Sequence, residues 1–244
     1  MKNSVVIASP HKVGSTWLFN LIAGLGYKRQ QAPNELRKNP NLGLLDLSLD
    51  NCENFLASAT VKSVFKSHSF PPSYEISDNV ALVSIIRDPR DLLVSKAFHS
   101  ANLAEENGGQ PFLKELSDQD KISFFLDSNT EDLDLLFAWM RFDNALTIKY
   151  EELLTNKIEI LSSIASYLEV DKTEEALAKI IDSFSIEQMR EHAPETRKSF
   201  FRKGVSGDWK NYFDEALKDK LKLARSGKWN DFLIEAGYEK DKNW

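Results

Sequence analysis

Apolar positions along the chain alternate between two periodicities. Short apolar stretches at Val5–Ala8, at Ser63–Lys66 around Val64 and Phe65, at Val80–Ile86 and at Leu146–Tyr150 have the length of strands, and the third is almost wholly apolar, as a strand buried on both faces would be. Between them, apolar residues recur at helical spacing. Trp17, Leu18, Leu21, Ile22 and Leu25 follow Ser15 and stop at Gly26, a C′ glycine. Asp91 opens a second helix through Leu92, Leu93, Val94, Ala97 and Phe98, and Leu133, Leu136, Phe137 and Met140 mark a third within Glu131–Leu146. Further helices are predicted at Glu151–Leu168, at Thr173–Phe184 and from Ser185, an N-cap with Gln188 at the capping-box position. The alternation predicts an α/β fold: a single domain over residues 1–244, with a central, mainly parallel sheet flanked by helices. Asn102–Asp134 is more polar, and Gly108-Gly109 and Pro111 mark a loop in it. Residues 101–146 are therefore predicted to be an insertion or lid.

Ligands of open parallel sheets sit beyond the carboxyl ends of the strands. After the first strand, Ser9–Val13 break the apolar run and a helix begins at Ser15, so the N–H groups of Gly14, Ser15 and Thr16 converge beside two hydroxyls and Lys12. Such a spot suits a phosphate or sulfate. The nucleotide-triphosphate loop G-x-x-x-x-G-K-[ST] carries its Lys after the second Gly, whereas Lys12 precedes Gly14. The stretch thus reads as P-loop-like with a displaced Lys, or, taken alone, as an ordinary turn with a surface Lys. After the second strand, Lys66 and His68 precede Pro71 and Pro72. The third strand runs into Arg87-Asp88-Pro89-Arg90-Asp91, where Arg87 and Ser95 could meet one anion, or Arg87 and Arg90 could pair with Asp88 and Asp91 at the surface. Tyr150 ends the fourth strand, as a functional group or as packing for the next helix. In the His192–Lys210 loop, Arg197, Lys198, Arg202, Lys203 and Lys210 surround Gly204 and Gly207, a composition suited to anion binding or to a solvated loop.

Composition narrows the picture. With 244 residues, 42% hydrophobic, the chain can bury a substantial core, and no linker-like tract divides it. A net charge of −6 argues against general nucleic-acid or anionic-membrane binding but leaves room for a local cationic site. The single Cys, Cys52, excludes an internal disulfide framework and a multi-Cys zinc site and suits a reducing compartment. No apolar run approaches membrane-spanning length, and the strand pattern starts almost at Met1, so a soluble, cytoplasmic protein is predicted.

Taken together, PHKVGSTWLFNLI, KSHSFPP, IIRDPRDLLVSKAFH and FFRKGVSGDWKNYF, in this order from Ser9 to Phe213, resemble the soluble sulfotransferase family that uses 3′-phosphoadenosine 5′-phosphosulfate (PAPS). The resemblance implies that Lys12, Gly14, Ser15 and Thr16 hold the 5′-phosphosulfate and that Trp17 stacks on adenine. Arg87 and Ser95, with Arg202, Lys203 and Gly204, would hold the 3′-phosphate, and Tyr150 would contact adenine. Ser185 and Ile186 align with an adenine-side Ser-Phe pair in which Ile replaces the ring. Val13 stands where the family has Ser, and His11 lies between the usual Pro and Lys as a loop variant rather than a second base. The Lys-x-x-x-Thr-Val-x-x-x-Glu dimer motif of many animal members is absent near this C-terminus, which leaves the oligomeric state open.

The implied chemistry is in-line transfer of a sulfuryl group to a hydroxyl or amine of a small-molecule acceptor. His68 would be the general base, Lys12 and Lys66 would stabilise the leaving phosphate, 3′,5′-adenosine bisphosphate (PAP) would be the product, and no metal would be required. Two other readings remain: a P-loop kinase with Asp88 holding a metal, and a non-catalytic nucleotide-binding protein. Acceptor choice is assigned to the loops around Pro71–Ser77 and Asn102–Asp127.

Overall fold

The computed structural model describes residues 2–37, 47–50, 52–105, 108–128, 130–193 and 202–244. In chain order the elements are β1 (Ser4–Ala8), α1 (Ser15–Gly24), β2 (Lys28–Arg29), α2 (Glu53–Ala57), β3 (Ser63–Ser67), β4 (Val80–Ile86), α3 (Pro89–Asn102), α4 (Asp118–Ser128), α5 (Thr130–Met140), β5 (Leu146–Lys149), α6 (Tyr150–Thr155), α7 (Lys157–Tyr167), α8 (Glu174–Ser183), α9 (Ile186–Glu191), α10 (Glu215–Leu223) and α11 (Lys228–Glu235). They form two compact units, one reaching to Ile86 and resuming over Ala138–Met189, the other comprising Arg87–Phe137 and Arg190–Trp244.

The first unit carries a five-stranded sheet in the order β2-β3-β1-β4-β5, with every pairing parallel. β1 and β4 are buried along their whole length, as their apolar runs require, and Val6 sits opposite both Phe65 and Leu82. Each such buried aliphatic side chain contributes roughly 1.5–3 kcal/mol. α1 buries Trp17, Leu18, Leu21 and Ile22 and ends before Gly26, whose φ of +111° is the left-handed C′ conformation predicted for it. A Cβ on Gly24 would lie 2.5 Å from Ile180 Cγ2, so this glycine sets how closely α8 approaches α1.

Several elements differ from the sequence pattern; Tyr150, for one, opens α6 and does not end β5. β2 was not predicted, because two exposed cations on an edge carry no apolar signal; those charges also protect the edge from further pairing. The helix predicted over Glu131–Leu146 ends at Met140, ahead of β5. The helix predicted over Glu151–Leu168 is two helices, parted at Asn156, whose φ of −119° and ψ of 47° are not helical. The predicted N-cap Ser185 holds, its Oγ accepting from Gln188 N–H, while Thr173, read as the first residue of a helix, is instead the N-cap of α8, its Oγ1 accepting from Ala176 N–H.

In the second unit, α3 begins at Pro89 rather than at Asp91. Asp88 is its N-cap, accepting the Arg90 N–H at 2.9 Å, and Pro89 occupies the first turn, where no N–H is needed. α4, within the predicted insertion, buries Ile122, Phe125 and Leu126 and is tied to α10 by Lys220, which reaches Ser123 and Asp127. Phe137 meets Phe232 of α11 edge to face at 5.2 Å. Phe112 and Leu116, between α3 and α4, are exposed. Among the described residues no helix is long and apolar enough to cross a membrane.

Candidate functional site

The turn from β1 to α1 is shaped by two left-handed residues, Lys12 at φ +68° and Gly14 at φ +101°. For Lys12 this backbone costs on the order of 1–2 kcal/mol, the kind of strain that collects at functional sites. Gly14 is constrained twice, because a Cβ there would also lie 2.5 Å from Tyr150 Cδ2. The first bonds of α1 are those of Trp17 and Leu18 N–H to Gly14 O, so the N–H groups of Ser15 and Thr16 lie ahead of the helix's own ladder. Lys66 Nζ donates to Thr16 Oγ1 at 3.4 Å, and Trp17 meets Tyr150 edge-on at 6.3 Å, both rings buried. Ser9 Oγ and Trp17 Nε1 are buried with no hydrogen-bond partner among the described residues. Lys12, Gly14, Ser15, Thr16, Trp17, Lys66 and Tyr150 therefore share one neighbourhood, and its turn N–H groups, with the unpartnered Trp17 Nε1 and Ser9 Oγ, fit an anionic oxygen ligand.

His68 follows β3 directly and is 6% exposed. Its Nδ1 lies 2.6 Å from Ser9 O. A carbonyl oxygen only accepts, so Nδ1 carries the proton and Nε2 is the basic nitrogen of the neutral ring. Trp139 Nε1 donates to Ser69 O at 2.9 Å and fixes the backbone just beyond the histidine.

The second unit gathers the other predicted cations. Arg87 is buried; its Nη2 donates to Val205 O at 3.0 Å and lies 3.9 Å from Asp91 Oδ2. Asp91 accepts the N–H groups of Gly207 at 2.7 Å and Trp209 at 2.8 Å, tying the start of α3 to the Gly-containing loop. Burial pushes the Asp91 carboxyl up; the Arg87 charge opposes this, Asp88 adds to it, and the two N–H bonds oppose it. Gly204 and Gly207 are left-handed at φ +67° and +78°. Arg202 Nη2 and Lys203 Nζ converge on Asp208, at 2.5 and 2.7 Å, and Asn211 Nδ2 joins them at 2.9 Å. Burial alone would raise the Asp208 pKa, but the bonds from Lys203, Arg202 and Asn211 outweigh it and hold the carboxyl below its ordinary value. Ser95 lies half-buried on α3. Arg197 and Lys198 lie outside the described residues.

Arg90 resolves as an ion-pair residue, though a buried one. It grips Asp88 through Nε and Nη2, reaches Glu239 at 2.5 Å, and stacks between Trp209 at 3.9 Å and Trp244 at 4.4 Å. Two further residues matter to which sequence reasoning gave no role in the site. Asp208 is the sole acid between Arg202 and Lys210, a signal in itself. His11 was read as a loop variant, yet its ring lies against that of His68 with centroids 3.7 Å apart.

The chain matches the family described as "Sulfotransferase domain" over residues 2–226. Sulfotransferase 6B1 of Pan troglodytes is 25% identical over 230 residues, covering 90% of this chain and 74% of that protein. Its Danio rerio namesake is 31% identical over 153 residues, 57% of this chain and 49% of the relative. Sulfotransferase 1B1 of Canis lupus familiaris is 38% identical over 88 residues, 31% of this chain and 30% of the relative. The matches to these last two thus span half or less of the relatives' length. Among solved structures, mouse sulfotransferase SULT7A1 complexed with PAP aligns with a TM-score of 0.69 at 20% identity, over 99% of this chain and 87% of that one. A retinol dehydratase complexed with androsterone and PAP aligns with a TM-score of 0.65 at 23% identity, over 96% and 81%. With a family match running almost from end to end, through both units, the chain belongs to the sulfotransferase domain family.

Proposed function

We propose that the chain transfers the sulfuryl group of PAPS to a hydroxyl or amine of a small-molecule acceptor, and that it does so as one domain in the cytoplasm. The observation that carries the reading is the 2.6 Å contact between His68 Nδ1 and Ser9 O: with Nδ1–H given to that carbonyl, Nε2 is the nitrogen that can take a proton. As the acceptor oxygen or nitrogen bonds to sulfur, His68 Nε2 removes its proton, and the bond from sulfur to the phosphate oxygen breaks. Lys12, Lys66 and the N–H groups of Gly14, Ser15 and Thr16 offset the charge left on that oxygen, and PAP departs. Trp17 and Tyr150 take the adenine end, while Arg87, Ser95, Arg202, Lys203 and Gly204 hold the 3′-phosphate.

The family match supports this reading, and both solved relatives hold PAP. The kinase alternative needed Asp88 for a metal, but that carboxylate caps α3 and grips Arg90. The buried Cys52, a free thiol that shares a hydrogen bond with Tyr74 Oη at 3.1 Å, suits a reducing compartment. Acceptor choice falls to the loops around Pro71–Ser77 and Asn102–Asp127. The test is calorimetric titration with PAP, AMP and ATP in the presence of a chelator. Strong preference for PAP is expected; no binding, or preference for ATP, overturns the proposal.

A further inference from the structure

We propose that His11 is a positioning residue for His68: its imidazole lies on the face of the base's ring and holds that ring in the orientation that keeps Nδ1–H on Ser9 O. The inference rests on the proposed role of His68 as general base. The two rings have centroids 3.7 Å apart at an interplanar angle of 35°, and His11 is exposed where His68 is buried. Ser9 and His11 both belong to the segment that leads into the Lys12–Thr16 turn. One short piece of backbone therefore holds the base by an edge and by a face, and shapes the anion site as well. Whatever draws that turn around an anion also acts on the orientation of the base.

The contact has an electrostatic consequence. When His68 accepts a proton, its imidazolium lies against the His11 ring, which attracts it while neutral and repels it once protonated. The two rings then titrate as a pair and not as separate sites. Lys12 is next to His11 in the same turn, and Lys66 lies two residues before His68 on β3; Ser9, Ser67 and Ser69 beside them in the chain are neutral. Both lysines disfavour a second positive charge on the pair.

Nitrogen-15 NMR of the full chain labelled in its four histidines reads this directly, without any acceptor. In the wild type, the His68 signals are expected to report the Nδ1–H tautomer and a two-step titration matched by His11. In His11→Phe, which keeps a ring that cannot take a charge, the tautomer persists and the titration becomes single-step. In His11→Ala the tautomers mix. A single-step wild-type curve left unchanged by His11→Phe overturns the inference, and this variant carries the test if His11→Ala fails to fold. PAP binding is measured in parallel. Loss of PAP binding by the wild type would overturn the proposed function, while the ring coupling is judged separately from the titration of the unliganded protein.

Discussion

At the β1–α1 turn, the groups that would meet an anion are backbone N–H groups and short hydroxyls, and their positions come from left-handed backbone at Lys12 and Gly14. In the second unit they are long cations, Arg202 and Lys203, and their positions come from one buried carboxylate, Asp208. The first arrangement is fixed by steric constraint and loses little entropy on binding; the second relies on charge, with flexible side chains restrained by a counter-ion. The turn should therefore fail when its shape changes, and the cation cluster when its charge changes.

The largest expected effect separates chemistry from binding. His68→Ala should slow turnover by about 10²–10⁴-fold, the usual scale for a lost general base, while PAP affinity stays near wild type. Single-turnover kinetics beside calorimetry would check it, and near-normal turnover would remove His68 from its role. Next comes Gly14→Ala, which adds a Cβ 2.5 Å from Tyr150 Cδ2 at a positive φ. Overpacking and backbone strain together should destabilise the protein by about 2–4 kcal/mol and abolish measurable PAP binding. Urea unfolding and calorimetry read both; a stable variant that still binds PAP would show that the turn's shape is not what makes the site.

The turn was the more legible of the two regions because its determinants are local. An apolar β-branched run, a small-residue turn and helical spacing from Ser15 lie within one stretch, and β1, α1 and the left-handed Gly26 follow from it. β4 was legible for the same reason, being apolar at every position but Ser84. The second unit was read as a set of cations without their partners. Asp91 and Gly207 are far apart in sequence, and no local pattern announces that a carboxylate at the start of α3 will accept two N–H groups from that loop. Asp88 rather than Asp91 caps α3 because Pro89 moves the helix start forward. Trp244 stacking on Arg90 is equally invisible locally, and β2 is too short and too polar to register.

A smaller effect tests the charge half of the comparison. Asp208→Asn keeps the shape of the side chain but removes the counter-ion that holds Arg202 and Lys203 together. PAP affinity should fall about tenfold, roughly the 1.4 kcal/mol of one charge-assisted contact, while AMP affinity, which involves no 3′-phosphate, stays unchanged. Tighter PAP binding would mean instead that Asp208 competes with the phosphate for the two cations.

The smallest effect is in pH dependence, where two buried carboxylates of the second unit, Asp208 and Asp91, differ in sign. Asp208 has its folded-state pKa held below the ordinary value by Lys203, Arg202 and Asn211 despite its burial. The stability it contributes is therefore present above the unfolded value of about 3.9 and is lost as pH falls through its lower folded value. Asp91 is raised, chiefly by burial, so the folded state binds its proton more readily than the unfolded chain does, and acidification through its folded value favours the fold. Acid lability from this pair should thus come from Asp208 and set in only below about pH 4. Urea-unfolding free energies of the wild type and Asp208→Asn at pH 7, 5 and 3 make the check. The wild type should lead by about 1–3 kcal/mol at pH 7 and pH 5, and its lead should shrink at pH 3. A lead that persists undiminished at pH 3 would mean that Asp208 orders the loop by its shape and its bond to Asn211, with the ion pairs to Arg202 and Lys203 adding little; the two regions would then differ less than their chemistry suggests.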